Sequence, residues 1–178
     1  MDELERIEFS ELLTKSFPFV NDHPDIAGLF RDAEILQRLG AGIAGSFLQN
    51  GITKVLAPEA RGPVLGALVA EFLHAGLILM RKEGRNHPGA DTRFRSEPIW
   101  NGEEEDFQTR SFDLEPADRV LVVDDWVTTG NTIRAAKNFV LAVGATYVGA
   151  SVIVNKASSE CLEELEVCWL VNFEAFNS

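Results

Sequence analysis

Val120-Leu121-Val122-Val123-Asp124-Asp125-Trp126-Val127-Thr128-Thr129-Gly130-Asn131-Thr132 is the stretch from which the rest of the chain can be read. Its four leading apolar residues suit a strand buried on both faces, as strands of a parallel sheet are. Two carboxylates close the strand, and a small, hydroxyl-rich loop with one glycine leads into Thr132 to Val143. There Ile133, Ala136, Phe139, Val140 and Val143 fall at helical spacing before Gly144. A loop of this kind at a helix N-terminus aims backbone N–H groups and threonine hydroxyls at an anion, with the helix dipole behind them. Gly130 gives a phosphate room to approach the backbone. Asp124 and Asp125 would accept hydrogen bonds from a vicinal diol, or hold Mg²⁺ through water. A sugar phosphate fits all three parts. An acidic strand end before an ordinary capped helix would account for any one of them alone.

Outward from this motif, short apolar runs alternate with helical stretches, the pattern of a parallel sheet with crossover helices. Ile52 to Ala57, Leu77 to Met80, Arg119 to Val123, Tyr147 to Val154 and Val167 to Val171 read as strands. Pro63 stands at a plausible first helical position before Val64 to His74, which Gly76 could stop. Ile35 to Leu48 carries Leu36, Leu39, Ile43 and Phe47 on one helical face. The expectation is one α/β domain over residues 1–178, with a parallel sheet of about five strands and ligands at the strands' carboxyl ends. From 83 to 115 the periodicity lapses, as it does in a lid or a disordered loop.

Composition narrows the partners. Sixteen Lys and Arg against 28 Asp and Glu give a net charge of −12 in 178 residues. Proteins that neutralise nucleic-acid phosphates or an anionic membrane surface carry the opposite balance, so neither is expected as a partner. With 46% hydrophobic residues the chain can build a sizeable core. The richest apolar window, Pro63 to Met80, is interrupted by Glu71 and His74 and falls short of the roughly 20 residues that span a bilayer. The acidic start, Met1 to Glu11, lacks the pattern of a secretory signal, which points to the cytoplasm. Cys161 and Cys168 are too few for a disulfide framework.

The thirteen-residue motif resembles the signature of type I phosphoribosyltransferases, which bind 5-phosphoribosyl-1-pyrophosphate (PRPP). Asn131 stands where that family often has glycine, and Trp126 is bulkier than the usual aliphatic residue, with two readings, a core residue first and a residue packed against the nucleotide second. By this resemblance Asp124 and Asp125 would hold the ribose hydroxyls. Thr128, Thr129, Gly130, Asn131 and Thr132 would cradle the 5-phosphate. Glu59-Ala60-Arg61-Gly62, between a strand and a helix, is similar to the pyrophosphate loop of adenine phosphoribosyltransferases. Arg81, Lys82, Arg85 and His87 resemble the pyrophosphate-binding residues of the orotate enzymes, and the Arg-Lys-x-Gly part is shared with the adenine enzymes. His23 to Asp32 is similar to the adenine enzymes' N-terminal hood, here about 15–35, in which Phe30 would stack on the base while Leu29 and Arg31 offer backbone contacts. A core role for Phe30 has equal standing.

The resemblance implies phosphoribosyl transfer from PRPP to a nucleobase, an adenine-like purine first, with pyrophosphate leaving and a homodimer as the assembly. Arg61, Arg81 and Arg85 would be the catalytic cations. Mg²⁺ would be carried by PRPP and water, with Asp124 and Asp125 as its candidate protein ligands. Glu97 and Glu103 to Glu105 are all candidates for handling the proton. An orotate-type or other pyrimidine enzyme, and a PRPP-sensing regulator without turnover, are the alternatives.

Overall fold

The computed structural model describes residues 3–98 and 101–177. Helix α1 (Glu3–Ser16) leads to a short ribbon, β1 (Phe19–Val20) against β2 (His23–Pro24), and a single turn, α2 (Ile26–Leu29). Then follow α3 (Ala33–Ala44), β3 (Lys54–Pro58), α4 (Gly62–Leu73), β4 (Gly76–Lys82), β5 (Thr92–Arg95), β6 (Asp106–Thr109), β7 (Arg119–Val127), α5 (Asn131–Ala142), β8 (Thr146–Asn155), α6 (Ser159–Glu164) and β9 (Val167–Asn172).

The sheet runs β5-β6-β4-β3-β7-β8-β9. Its five parallel strands, β4, β3, β7, β8 and β9, are those the apolar runs predict. β7 is the middle one of these five, and Val120 to Val123 are fully buried because helices cover both faces. On one face Leu121 and Val123 pack with Phe9, Leu13, Leu39, Ile43, Leu65 and Val69 from α1, α3 and α4. On the other, Val120 and Val122 meet Ile133, Ala136, Phe139 and Val140 of α5. The α5 stripe therefore comes out as its spacing implies, with Gly144 at φ 86° just beyond it.

Three local expectations change. His74, not Gly76, ends α4 by taking the left-handed conformation at φ 55°, and Gly76 becomes the first residue of β4. The helix expected over Ile35 to Leu48 is α-helical only to Ala44, then tightens into a 3₁₀ turn at Gly45–Phe47. The aperiodic segment contains two strands, since β5 and β6 form a hairpin that adds antiparallel strands to the β4 edge. Each is four residues long, and β5 exposes Arg93 and Arg95, so neither produces an apolar run. The hairpin is fixed by Phe94, which stacks on Phe107 and on Phe139 of α5 at 6.0 and 5.6 Å. Residues 99 and 100 of the expected lid lie outside the described residues.

Candidate active site

β7 delivers Asp124 and Asp125 to the carboxyl end of the sheet. The Asp125 N–H donates to Asp124 Oδ1 at 2.8 Å, and the Trp126 N–H donates to Asp125 Oδ1 at 2.9 Å. Burial, followed by the charge of Asp125, pushes the Asp124 carboxyl well above the usual carboxylate range. The chain turns through Thr128 and Thr129, reaches a left-handed Gly130 at φ 76°, and enters α5 at Asn131. The glycine is needed on two counts. A Cβ would collide with Cys161 Sγ and lie 2.7 Å from Leu165 Cδ1, and L-residues rarely adopt this φ. Asn131 uses its side chain elsewhere, donating to the Pro98 carbonyl at 2.6 Å and accepting from Arg134. Its contribution to an anion is therefore the backbone N–H.

A second loop meets the first. Glu59 to Gly62 joins β3 to α4, with a cis peptide between Glu59 and Ala60. Gly62 stands so near the acidic strand end that a Cβ there would lie 3.2 Å from the Val123 carbonyl and 3.3 Å from Asp124 Oδ1. Arg61 Nε reaches Asp125 Oδ2 at 2.5 Å. The Glu59 carboxylate accepts from the Lys82 N–H at 3.1 Å and from Arg81 at 3.3 and 3.4 Å. Partial burial raises its pKa, but the hydrogen bonds of Arg81 and Lys82 and the charges of Arg81 and Arg85 outweigh this, and Glu59 stays below its ordinary value. Lys82 Nζ pairs with Glu105.

These loops enclose a cleft of about 650 Å³ lined by Glu59, Ala60, Arg61, Lys82, Asp124, Asp125 and the whole run from Thr128 to Thr132. It can receive an extended polyanion, with a helix N-terminus at one end, cations at the other and a carboxylate pair between them.

The comparisons with known proteins agree with this geometry. The model of the phosphoribosyl transferase domain matches residues 31–171. An adenine phosphoribosyltransferase of Streptomyces avermitilis is 34% identical over 157 residues, covering 84% of this chain and 85% of its own length. Its counterpart in Streptomyces clavuligerus is 36% identical over 151 residues, with 81% and 83% covered. The chain belongs to the phosphoribosyltransferase family. Among solved structures, the adenine phosphoribosyltransferase of Thermoanaerobacter pseudethanolicus superposes with a TM-score of 0.82 at 22% identity, covering 92% of this chain and 99% of that one. That of Trypanosoma brucei, in complex with AMP, pyrophosphate and ribose-5-phosphate, gives 0.77 at 22%, covering 94% and 80%.

Not every residue singled out from the sequence of this phosphoribosyltransferase lies on the cleft. Gly62 and Arg81 stand behind its lining residues, while Arg85 and His87 sit farther along the loop after β4. Burial and the charges of Arg110 and Arg81 push the His87 imidazole below its usual range. Its Nε2 is buried without a hydrogen-bond partner. Leu29, Phe30 and Arg31 are not among the lining residues either. Leu29 is 1% exposed, Phe30 packs against the core, and the Arg31 guanidinium turns back to the Gly28 carbonyl at 3.4 Å. Of the acidic residues considered for the proton, Glu105 alone among the described residues lines the cleft. His23, Trp126, Val127, Ile133, Lys156 and Phe173 complete the lining. His23, Lys156 and Phe173 come from distant segments, and no local motif marks them.

Proposed function

We propose that the protein transfers the 5-phosphoribosyl group from PRPP to adenine, giving AMP and pyrophosphate, in purine salvage. The observation that carries this reading is the single cleft in which the acidic pair, the α5 loop and the cations Arg61 and Lys82 all meet. The adenine enzymes from Streptomyces support the choice of base.

On this reading Asp124 and Asp125 grip the ribose hydroxyls, and the backbone from Thr128 to Thr132 receives the 5-phosphate. This fixes the anomeric carbon between the base nitrogen and the departing pyrophosphate. As the bond to pyrophosphate breaks, negative charge gathers on the leaving oxygens, and Arg61 and Lys82 are placed to stabilise it. Both are already paired with acids of the same cleft, so binding exchanges an internal carboxylate for a substrate phosphate. Arg81 holds Glu59 and acts on the leaving group through the shape of the loop.

Among the described residues no cluster of three or more metal-binding side chains forms a dedicated cage. Two adjacent carboxylates, one driven toward protonation by loss of solvent and then by the charge of the other, do suit a Mg²⁺ ion carried in by substrate and water. Such an ion would neutralise pyrophosphate charge. The proposal includes a homodimer and a cytoplasmic location, and both cysteines are free, as a reducing compartment would keep them. No helix among the described residues is long and apolar enough to cross a membrane.

The test is pyrophosphate release from PRPP and Mg²⁺ with a panel of bases. Release with adenine at least tenfold faster than with hypoxanthine, guanine, xanthine, orotate or uracil is expected. PRPP binding without release from any base would leave a sensor instead.

A further inference from the structure

We propose that the Asn131 side chain is a latch tying the arm after β5, residues 96–98, to the turn that receives the 5-phosphate, so that filling this turn steadies the arm. This rests on the phosphoribosyl-transfer reading above and adds a positioning residue to it. The glycine that the family often has at this position could not serve, because it has no side chain to reach the arm.

The amide of Asn131 is held at both ends by groups that can play one part only. Its nitrogen donates to the Pro98 carbonyl at 2.6 Å, and a carbonyl can only accept. Its oxygen accepts from Arg134 Nη1, and a guanidinium can only donate. Arg134 is fixed in turn by a two-point pair with Glu164 of α6, Nε to Oε1 at 3.0 Å and Nη2 to Oε2 at 2.7 Å. Hydrogen bonding to Glu164 is the main cause that raises the Arg134 pKa, and the charge of Glu97, the neighbour of Pro98, adds to it. The amide nitrogen is therefore aimed at the arm by a relay that begins on another helix.

The arm is built to lie along α5. Phe94 stacks on Phe139, and Pro98 meets Asn131 at the helix start. The helix from 139 back to 131 covers about 12 Å and extended chain from 94 to 98 about 13 Å, so the two run side by side without slack. At the foot of the arm the Ser96 N–H donates to the Glu105 carbonyl at 2.9 Å, and the Glu105 N–H returns to Ser96 Oγ at 3.1 Å. Asn131 and Glu105 both line the cleft, and Glu105 pairs with Lys82, so the arm links the phosphate turn to the cation end. The Asn131 N–H is spent on a long 3.4 Å bond to Thr129 Oγ1, which a phosphate oxygen can replace. A phosphate bound there fixes the Asn131 backbone, and a side chain on a fixed backbone loses less freedom in gripping Pro98.

Amide hydrogen exchange on the full-length protein tests this in two steps. Without ligand, Asn131→Gly and Asn131→Asp are compared with wild type. The aspartate keeps an oxygen for Arg134 and suits the first turn of a helix, but cannot donate to Pro98. Both variants should exchange about two- to tenfold faster over residues 92–98, the scale of losing one hydrogen bond, with exchange over the rest of α5 unchanged. Unchanged exchange over 92–98 in Asn131→Asp, or equal quickening throughout α5, overturns the latch, and this arm stands even if Asn131→Gly does not fold. In the second step saturating ribose 5-phosphate is added. It should slow exchange over 92–98 in wild type, while in Asn131→Asp the slowing is confined to the turn at 128–132. No slowing over 92–98 in wild type, or slowing there as large in the variant, overturns the coupling. The transferase reading fails separately, through the absence of pyrophosphate release from every base, which would leave both exchange results in place.

Discussion

Asp124 is half-buried beside the buried Asp125, and both circumstances favour its protonated form. A carboxyl whose pKa is higher in the folded state than in the unfolded chain binds more protons when folded. Stability is therefore lost as pH rises from the unfolded value toward the raised one. Asp124→Asn removes this liability and keeps an oxygen for the Asp125 N–H. In metal-free buffer its melting temperature should exceed that of wild type at pH 8, with the gap closing toward pH 4, while PRPP affinity falls. A gap of the same size at both pH values would refute this account of Asp124. Gly130→Ala strains a left-handed turn and drives a methyl into Cys161 and Leu165. A loss of at least about 1–3 kcal/mol is expected in denaturant titrations, together with weaker PRPP binding. The acidic pair and the turn at Gly130 are legible from sequence because their local pattern shows them, although the packing of Gly130 against Cys161 and Leu165 does not show there. The surroundings of Trp126 are not legible, since the rings that lie against it come from residues 23 and 173.

The same division holds among the elements. β3, β4, β7, β8 and β9 announce themselves because a strand buried on both faces must be apolar throughout, and α5 does so through its one-sided stripe. The β5–β6 hairpin escapes notice because each strand contributes one phenyl ring to the interior and otherwise faces solvent or other polar groups. α1 is missed for a related reason. Its fully buried residues are only Phe9 and Leu13, set in an acidic surface. The hairpin nonetheless carries Glu105 at its inner end and places it against Lys82. Phe107, with no exposed surface, is its anchor. Phe107→Ala should cost about 3–5 kcal/mol if the hairpin unfolds with the rest of the sheet. Amide exchange that quickens only over residues 92–109 would show instead that the hairpin opens on its own.

Over the whole molecule, acids outnumber bases, yet the site's cations are held in place by those acids. Arg61 rests on Asp125, Arg81 on Glu59 and Lys82 on Glu105. A protein with this cleft should be markedly stabilised by its substrate. PRPP with Mg²⁺ at a hundred times its dissociation constant contributes about 2.7 kcal/mol. For a chain of this size that is a rise of roughly 5–10 °C in melting temperature, and a thermal shift assay without any rise would argue against the site. The two outer strands of the sheet are also not left bare. β5 presents Arg93 and Arg95 to solvent, and α1 lies along β9, with Arg6 and Ser10 donating to the carbonyls of Trp169 and Leu170. The charges on one margin and the occupied carbonyls on the other both discourage edge-to-edge pairing with another chain. Two copies that associate are therefore expected to join through helices and loops, with each sheet complete within its own copy.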